Sequence, residues 1–271
     1  MVRLGKTALV LFVLFMLLRW FEYKQTYYPS RSFNASGAEL GRAWEDVNFV
    51  ASDGTKLNGW FFPANTNSPR AHLAVLICHG NAGNISHRLG LYNALLAPGV
   101  NVFAFDYRGY GRSEGRPSEA GTYLDAQAAH AWLRQRGFAA TNIIAYGESL
   151  GGGVASELAV RETCGGLVLD KTFTSLTDIG AELYPWLPVR TLGSIHYNTR
   201  SKLPRIHVPV LVLHSREDGL IPFQHAEQNF AAANEPKFFC ELPGGHNDGI
   251  ADRAKYLTGI EQLLIRLDVS K

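Results

Sequence analysis

The chain predicts an α/β fold with a mostly parallel central sheet flanked by helices, and three observations carry that reading. Two hairpin-like strand patterns, Val47–Val50 and Lys56–Phe62, are divided by a Ser52-Asp53-Gly54 turn and followed by strand and helix patterns in alternation. Leu73–Cys78 is short and almost wholly apolar, the pattern of a strand buried on both faces. Asn142–Arg161, NIIAYGESLGGGVASELAVR, passes from strand-like to helical sequence through Gly147-Glu148-Ser149-Leu150-Gly151.

A chain of 271 residues that is 46% hydrophobic can bury a substantial core, and its length suits one domain plus a tail. A net charge of +2 with 18% charged residues provides no basic field for nucleic acid, so none is expected as a partner. Cys78, Cys164 and Cys240 are too few and too scattered for a disulfide framework or a zinc site, and buried reduced thiols are expected.

Residues 1–24 differ from the rest. Arg3 and Lys6 precede the unbroken apolar run Ala8–Leu18. As a helix, Leu4–Phe21 reaches about 27 Å against a hydrocarbon core of about 30 Å. Snorkelling by Lys6 and Arg19, with Trp20, Phe21 and Tyr23 at the interface, closes the gap. A cleaved signal peptide needs a small-x-small site, which RWFEYKQTYY lacks. The expectation is an uncleaved signal anchor over 1–24, a single membrane pass, with a cleaved signal or a helix packed on the domain as alternatives. Basic residues balance on the two sides and leave its orientation open. A tether adds no catalytic group, so deleting it is expected to leave activity near normal. Residues 25–43 read as a linker and 44–271 as the globular domain.

Within that domain the later strand patterns are Asn101–Tyr107, Ile143–Tyr146, Leu167–Asp170, Pro209–His214 and Lys237–Leu242. Ser118 can cap a helix running through Arg136, with Leu124, Ala128, Ala131 and Trp132 on one face. Tyr256, Leu257, Ile260, Leu263, Leu264 and Leu267 repeat at three and four residues, the period of a last helix.

A strand that turns abruptly into a helix strains the residue at the turn and points its side chain outward, and the positions two before and two after it must be small. Gly147 and Gly151 meet that demand, and Gly152 and Gly153 allow close contact between helix and sheet. Ser149 is therefore the candidate nucleophile. The helix N-terminus beside it offers free N–H groups to an oxyanion.

Ligands of such sheets gather at the strands' C-terminal ends, so the partners of Ser149 are sought there. A serine needs a base, and the base needs a carboxylate to fix its tautomer. His246 lies in the glycine-rich loop before the last helix, and Asp218 in the turn after a buried strand. Ser149, Asp218, His246 is the chain order such a fold requires. Asp170, at the end of the sixth strand, is a rival acid that could instead cap the next segment or anchor a lid. Glu217 is a weaker rival expected to face solvent. Six other histidines (His72, His87, His130, His196, His207 and His225) suggest no partner and are expected at the surface. Gly109-x-Gly111 invites a dinucleotide reading, but position 114, where the third glycine is due, holds Glu114.

HGNAGNISHR from His79, DYRGYGRSEG from Asp106, GESLGG from Gly147, TFTSL from Thr172 and GGHND from Gly244 stand in order along the chain. With the acidic turn at Asp218, they resemble the α/β-hydrolase superfamily, and within it the membrane-tethered bud-emergence-like serine hydrolases. The resemblance covers roughly Trp44 to the C-terminus and implies an α/β-hydrolase fold. It implies that Asn81 and Leu150 supply the backbone N–H groups of an oxyanion hole, which suits their place after strand ends flanking the serine. It also implies that His79, Gly80 and the Asp106–Gly115 turn shape the floor, and that a short lid fills about 171–208, between strands 6 and 7. Tyr184, Trp186, Leu187 and Tyr197 then line a small cap over an open site, or belong to the core, since pockets and cores use the same residues.

The expectation is a membrane-anchored serine hydrolase that cleaves a small acyl ester or thioester, or a lipid of its own membrane, through an acyl-enzyme on Ser149. His246 serves as base and then acid, Asp218 orients it, and no metal or organic cofactor is required. An amidase or peptidase uses the same triad, and a catalytically idle membrane-bound scaffold is the rival of a different class.

Overall fold

In the structure, a computed structural model that describes residues 2–268, β1 (Glu45–Val50), β2 (Lys56–Phe62), β3 (Ala74–Cys78) and β4 (Asn101–Phe105) form half of one sheet. β5 (Ile143–Glu148), β6 (Gly166–Asp170), β7 (Val210–His214) and β8 (Lys237–Glu241) complete it. The order across the sheet is β8-β7-β6-β5-β3-β4-β2-β1. β2 runs antiparallel to β1 and to β4, and every other pairing is parallel. The fold is thus the α/β sheet that the alternation of patterns predicts. Met1 and residues 269–271, included in the expected segments 1–24 and 44–271, lie outside the described residues.

Every residue of β3, β4, β6 and β7 is buried, because helices cover both faces. On one face Leu76, Phe103 and Ala145 pack against Leu133 of α3 (Glu119–Gln135) and Val154 and Leu158 of α4 (Leu150–Arg161). On the other, Val75, Ile77 and Val102 meet Tyr92 and Leu95 of α2 (Leu89–Leu96) and Ile260 and Leu264 of α8 (Arg253–Asp268). Each fully buried aliphatic side chain contributes about 1.5–3 kcal/mol. Ser118 caps α3 as its sequence predicts, accepting from the Gly121 N–H at 3.1 Å.

The first helix, α1, spans Val2–Thr26. Its residues Leu9–Leu17 are exposed on all sides, while its last turns lie against the domain. Among the described residues no helix is long and apolar enough to cross a membrane.

Three expectations are corrected. The stretch 25–43 is no free linker: Tyr28–Pro29 pairs in parallel with Ala82–Gly83, Tyr27 is buried, and the Asn34 N–H donates to Ser86 Oγ at 2.9 Å. His130 and His225 are buried rather than solvated. His225 accepts at Nδ1 from the Thr174 N–H at 3.1 Å, with Nε2 3.2 Å from Glu182, so it fastens α7 (Phe223–Ala232) to the lid. Cys78 and Cys164 are buried free thiols, but Cys240 is only half-buried.

The lid carries two short helices, α5 (Leu176–Leu183) and α6 (Val189–Leu192). Its aromatic residues divide between the two readings. Tyr197 belongs to the core, with its hydroxyl 3.0 Å from that of Tyr27 and 2.8 Å from Thr122 Oγ1. Tyr184 and Leu187 line a cavity, and Trp186 is exposed.

Candidate active site

Ser149 sits between β5 and α4 at φ 51° and ψ −116°, a left-handed conformation that a non-glycine residue holds only under tertiary constraint. The constraint is visible on both sides of the residue. Its N–H donates to the Asp170 carbonyl at 2.9 Å, and its carbonyl accepts from Thr172 Oγ1 at 2.6 Å. A Cβ at Gly151 would lie 1.9 Å from the Cys78 carbonyl oxygen, and one at Gly147 2.5 Å from that of Gly151. Only glycine lets α4 leave the sheet at this angle.

His246 Nε2 lies 3.0 Å from Ser149 Oγ, and His246 Nδ1 2.7 Å from Asp218 Oδ2. The second Asp218 oxygen accepts from the Leu220 and Ile221 N–H groups at 2.9 and 2.8 Å. Burial alone would raise the Asp218 carboxyl, but the His246 hydrogen bond and the backbone donors hold it below the usual carboxylate range. An ionised Asp218 can only accept, so His246 donates from Nδ1 and leaves Nε2 free to take the serine proton. Three contacts fix the loop that carries the imidazole. The Gly244 N–H donates to Glu217 at 2.8 Å, the Gly245 N–H donates to Asp248 at 2.7 Å, and Lys171 Nζ donates to the His246 carbonyl at 3.2 Å.

Asp170 faces elsewhere. It accepts from Tyr146 Oη at 2.5 Å, and that hydroxyl accepts from Tyr256 Oη at 3.0 Å. Burial raises its pKa, against the pull of Lys171 and Tyr146. It does not cap the next helix either: Ser175 does, accepting from the Asp178 N–H at 3.0 Å. Glu217 is exposed, as expected, but it holds the histidine loop.

Leu150 is the first residue of α4, where a backbone N–H has no intrahelical acceptor. The Asn81 carbonyl is turned away from the serine by the Tyr28 N–H at 3.0 Å and Tyr110 Oη at 2.7 Å. Among the described residues neither the Asn81 nor the Leu150 N–H donates to a protein acceptor.

Sequence reasoning missed one pair. Arg88 Nε lies 2.6 Å from Glu148, and the same guanidinium donates to the Asn84 and Ala82 carbonyls at 2.9 and 3.1 Å. Burial would raise Glu148, but Arg88 outweighs it and holds the carboxyl at about 2. Nothing local in the sequence links the two, though both lie inside motifs quoted for other reasons. Below them His79 and Asp106 form the floor, with His79 Nε2 3.5 Å from Asp106. Burial drives the imidazole down to about 3 and the carboxyl up to about 8, so both are neutral at neutral pH.

Two cavities share lining residues with the small recess that holds Ser149. One, of about 670 Å³, has a mixed lining in which Arg88, Glu148, Lys171, His246 and Arg253 stand beside Leu91, Ala94 and Ile250. The other, of about 450 Å³, lies between the lid and the last turns of α1. Asn81 borders the second and also the small recess that holds Ser149. Phe21, Thr26 and Tyr28 line this second cavity, although the sequence assigns them to a tether and a linker.

A strained serine on a strand–helix turn, bonded to a histidine and through it to an aspartate at the ends of parallel strands, defines the α/β-hydrolase class. The family profile described as the alpha/beta hydrolase fold matches residues 74–196. An uncharacterised protein of Mycobacterium tuberculosis is 44% identical over 224 residues, 82% of this chain and 79% of its own length. The chain belongs to the α/β-hydrolase family, among bud-emergence-like relatives. The alpha/beta hydrolase domain-containing protein WAV2 of Arabidopsis thaliana is 35% identical over 257 residues, 84% of this chain and 82% of that protein. Protein bem46 of Schizosaccharomyces pombe is 33% identical over 195 residues, 68% of this chain and 64% of that protein. Among solved structures, a Pyrococcus furiosus esterase superposes with a TM-score of 0.72 at 20% identity, covering 89% of this chain and 97% of its own. That likeness concerns the fold.

Proposed function

We propose that the chain is a serine hydrolase that cleaves carboxylic esters or thioesters through an acyl-enzyme on Ser149. The observation that carries this reading is the relay of hydrogen bonds, 3.0 Å from Ser149 Oγ to His246 and 2.7 Å from His246 to Asp218. Ser149 Oγ attacks the acyl carbon while His246 Nε2 takes its proton. The carbonyl oxygen, now negative, is held by the N–H groups of Asn81 and Leu150. Collapse expels the alcohol or thiol, which leaves with the proton from His246. Water then attacks the acyl-enzyme by the same route in reverse. Asp218 keeps the imidazole in the required tautomer and stabilises its cation.

The same reading places the enzyme at a membrane. Leu9–Leu17 of α1 are 47–62% exposed and apolar on every face, and a helix with no polar face is not a surface helix of a soluble protein. Trp20, 59% exposed, follows at the level of an interfacial residue.

A fluorophosphonate tests the chemistry. It should modify Ser149 and no other residue, and Ser149→Ala should abolish labelling and lower ester turnover by about 10⁴-fold or more. Unchanged esterase activity in Ser149→Ala would sink the mechanism. Hydrolysis of anilides at rates matching esters would move the reading to an amidase. Retention of the full-length chain in membranes through carbonate washing tests the tether.

A further inference from the structure

We infer that the 450 Å³ cavity beside Asn81 is the site of a straight aliphatic acyl chain, and that α1 is one of its walls. The inference rests on the acyl-enzyme reading and names the substrate class for it.

Three parts of the chain build the cavity. The lid contributes Ile179, Leu183 and Leu187, and the acid turn contributes Leu220, two residues after Asp218. The last turns of α1 contribute Phe21 and Thr26. The polar groups among these elements are already engaged. Glu22 accepts from the Ser194 and Ile195 N–H groups at 2.6 and 2.9 Å and from Ser194 Oγ at 2.7 Å. Gln25 Oε1 accepts from Tyr28 Oη at 3.0 Å and Tyr184 Oη at 3.1 Å. What faces the space is therefore mainly hydrocarbon, closed at one corner by Phe21 edge-on to Tyr184 at 5.5 Å.

Position decides which part of a substrate enters. Asn81 borders both this cavity and the serine recess, so the apolar space lies next to the residue whose N–H would hold the acyl carbonyl oxygen. The cavity on the other side mixes Leu91, Ala94 and Ile250 with the charged Arg88, Glu148, Lys171 and Arg253, which suits a leaving group with polar atoms better than a bare hydrocarbon chain. Of the two, the lid cavity is the more apolar and the better match to an acyl chain. The helix that walls it is continuous with the exposed apolar turns Leu9–Leu17, so the membrane-facing segment and the specificity wall are one element.

The test uses the full-length protein in a steroidal detergent that carries no alkyl chain, with nitrophenyl esters from acetyl to dodecanoyl. In the native protein kcat/KM should rise about two- to fourfold per methylene until the cavity is full, near the transfer free energy of a CH₂ group. Phe21→Ala should lower the octanoyl-to-acetyl ratio of kcat/KM about tenfold. Leu183→Trp, at a half-exposed position that tolerates bulk, should shift the optimum to shorter chains. A second arm offers the octanoyl chain as a glycerol ester in phosphatidylcholine vesicles. Turnover there as well assigns the site to lipid esters, and turnover of the soluble ester alone assigns it to soluble ones. Acetyl-ester hydrolysis with a flat chain-length profile, or a profile that neither variant moves, overturns the acyl site and leaves the Ser149 mechanism standing. Absence of both fluorophosphonate labelling and acetyl-ester hydrolysis overturns the mechanism and the acyl site together.

Discussion

Arg88 Nε and Glu148 stand 2.6 Å apart, and this pair ties the loop that carries Asn81 to the residue immediately before Ser149. The Asn81 loop and the Ser149 turn therefore share one ionic clamp, although they lie on different strand ends.

Removing the clamp has a pH signature. Glu148 is held at about 2, below the ordinary 4.5, so its pairing stabilises the fold fully above about pH 4.5 and loses that effect as the pH falls towards 2. Arg88→Met is expected to cost about 1–3 kcal/mol at pH 7, and the gap to the native protein should narrow below pH 4.5. Urea unfolding at pH 7 and at pH 3.5 measures it. A gap independent of pH would show that Arg88 acts only through its carbonyl contacts.

Asp218 and Asp170 are expected to part company. Asp218→Asn should lower turnover by about three to four orders of magnitude, because His246 Nδ1 loses its charged acceptor at 2.7 Å. Asp170 does not touch the imidazole, and its raised pKa means that folding disfavours its ionised form, so it costs stability as the pH rises above its unfolded value. Asp170→Asn should stay within about tenfold of native activity and gain relative stability as the pH rises above the ordinary aspartate value of about 4. A folded but nearly inactive Asp170→Asn beside an active Asp218→Asn would reverse the assignment.

Truncation separates the two halves of α1. A chain starting at Leu18 keeps the Glu22 contacts and the Tyr28–Pro29 pairing, so it should become easier to extract and remain active. A chain starting at Ser30 loses the Tyr28 N–H that holds the Asn81 carbonyl at 3.0 Å. Its turnover on acetyl esters should fall about 10- to 100-fold, short of the loss of a whole oxyanion donor. Equal activity of the two truncations would show that the Tyr28 contact positions nothing.

Gly151→Ala probes the turn itself. Its Cβ would meet the Cys78 carbonyl oxygen at 1.9 Å, with backbone on both sides and nothing flexible to yield. A loss of about 3 kcal/mol or more is expected, read as a lowered melting temperature.

Local pattern determined a great deal by itself. Burial on both faces wrote β3 as a continuous apolar run, and the eight strands of the sheet fall where short apolar or alternating segments predict them. The elbow was legible because its geometry demands small residues at fixed offsets, which Gly147 and Gly151 supply. Tertiary structure alone decided what depends on distance between remote segments. His225 and His130 look polar in sequence but lie under neighbouring elements, and Arg88 and Glu148 are 60 residues apart. The sequence already favours Asp218 over Asp170 by its turn after the seventh strand, and the structure adds which way each carboxylate points, Asp218 to His246 and Asp170 to Tyr146. The end of α1 reads as the margin of a tether because apolar composition is the same whether a residue faces lipid, core or substrate. Only the packing of Phe21 against Tyr184, at 5.5 Å, makes it a wall.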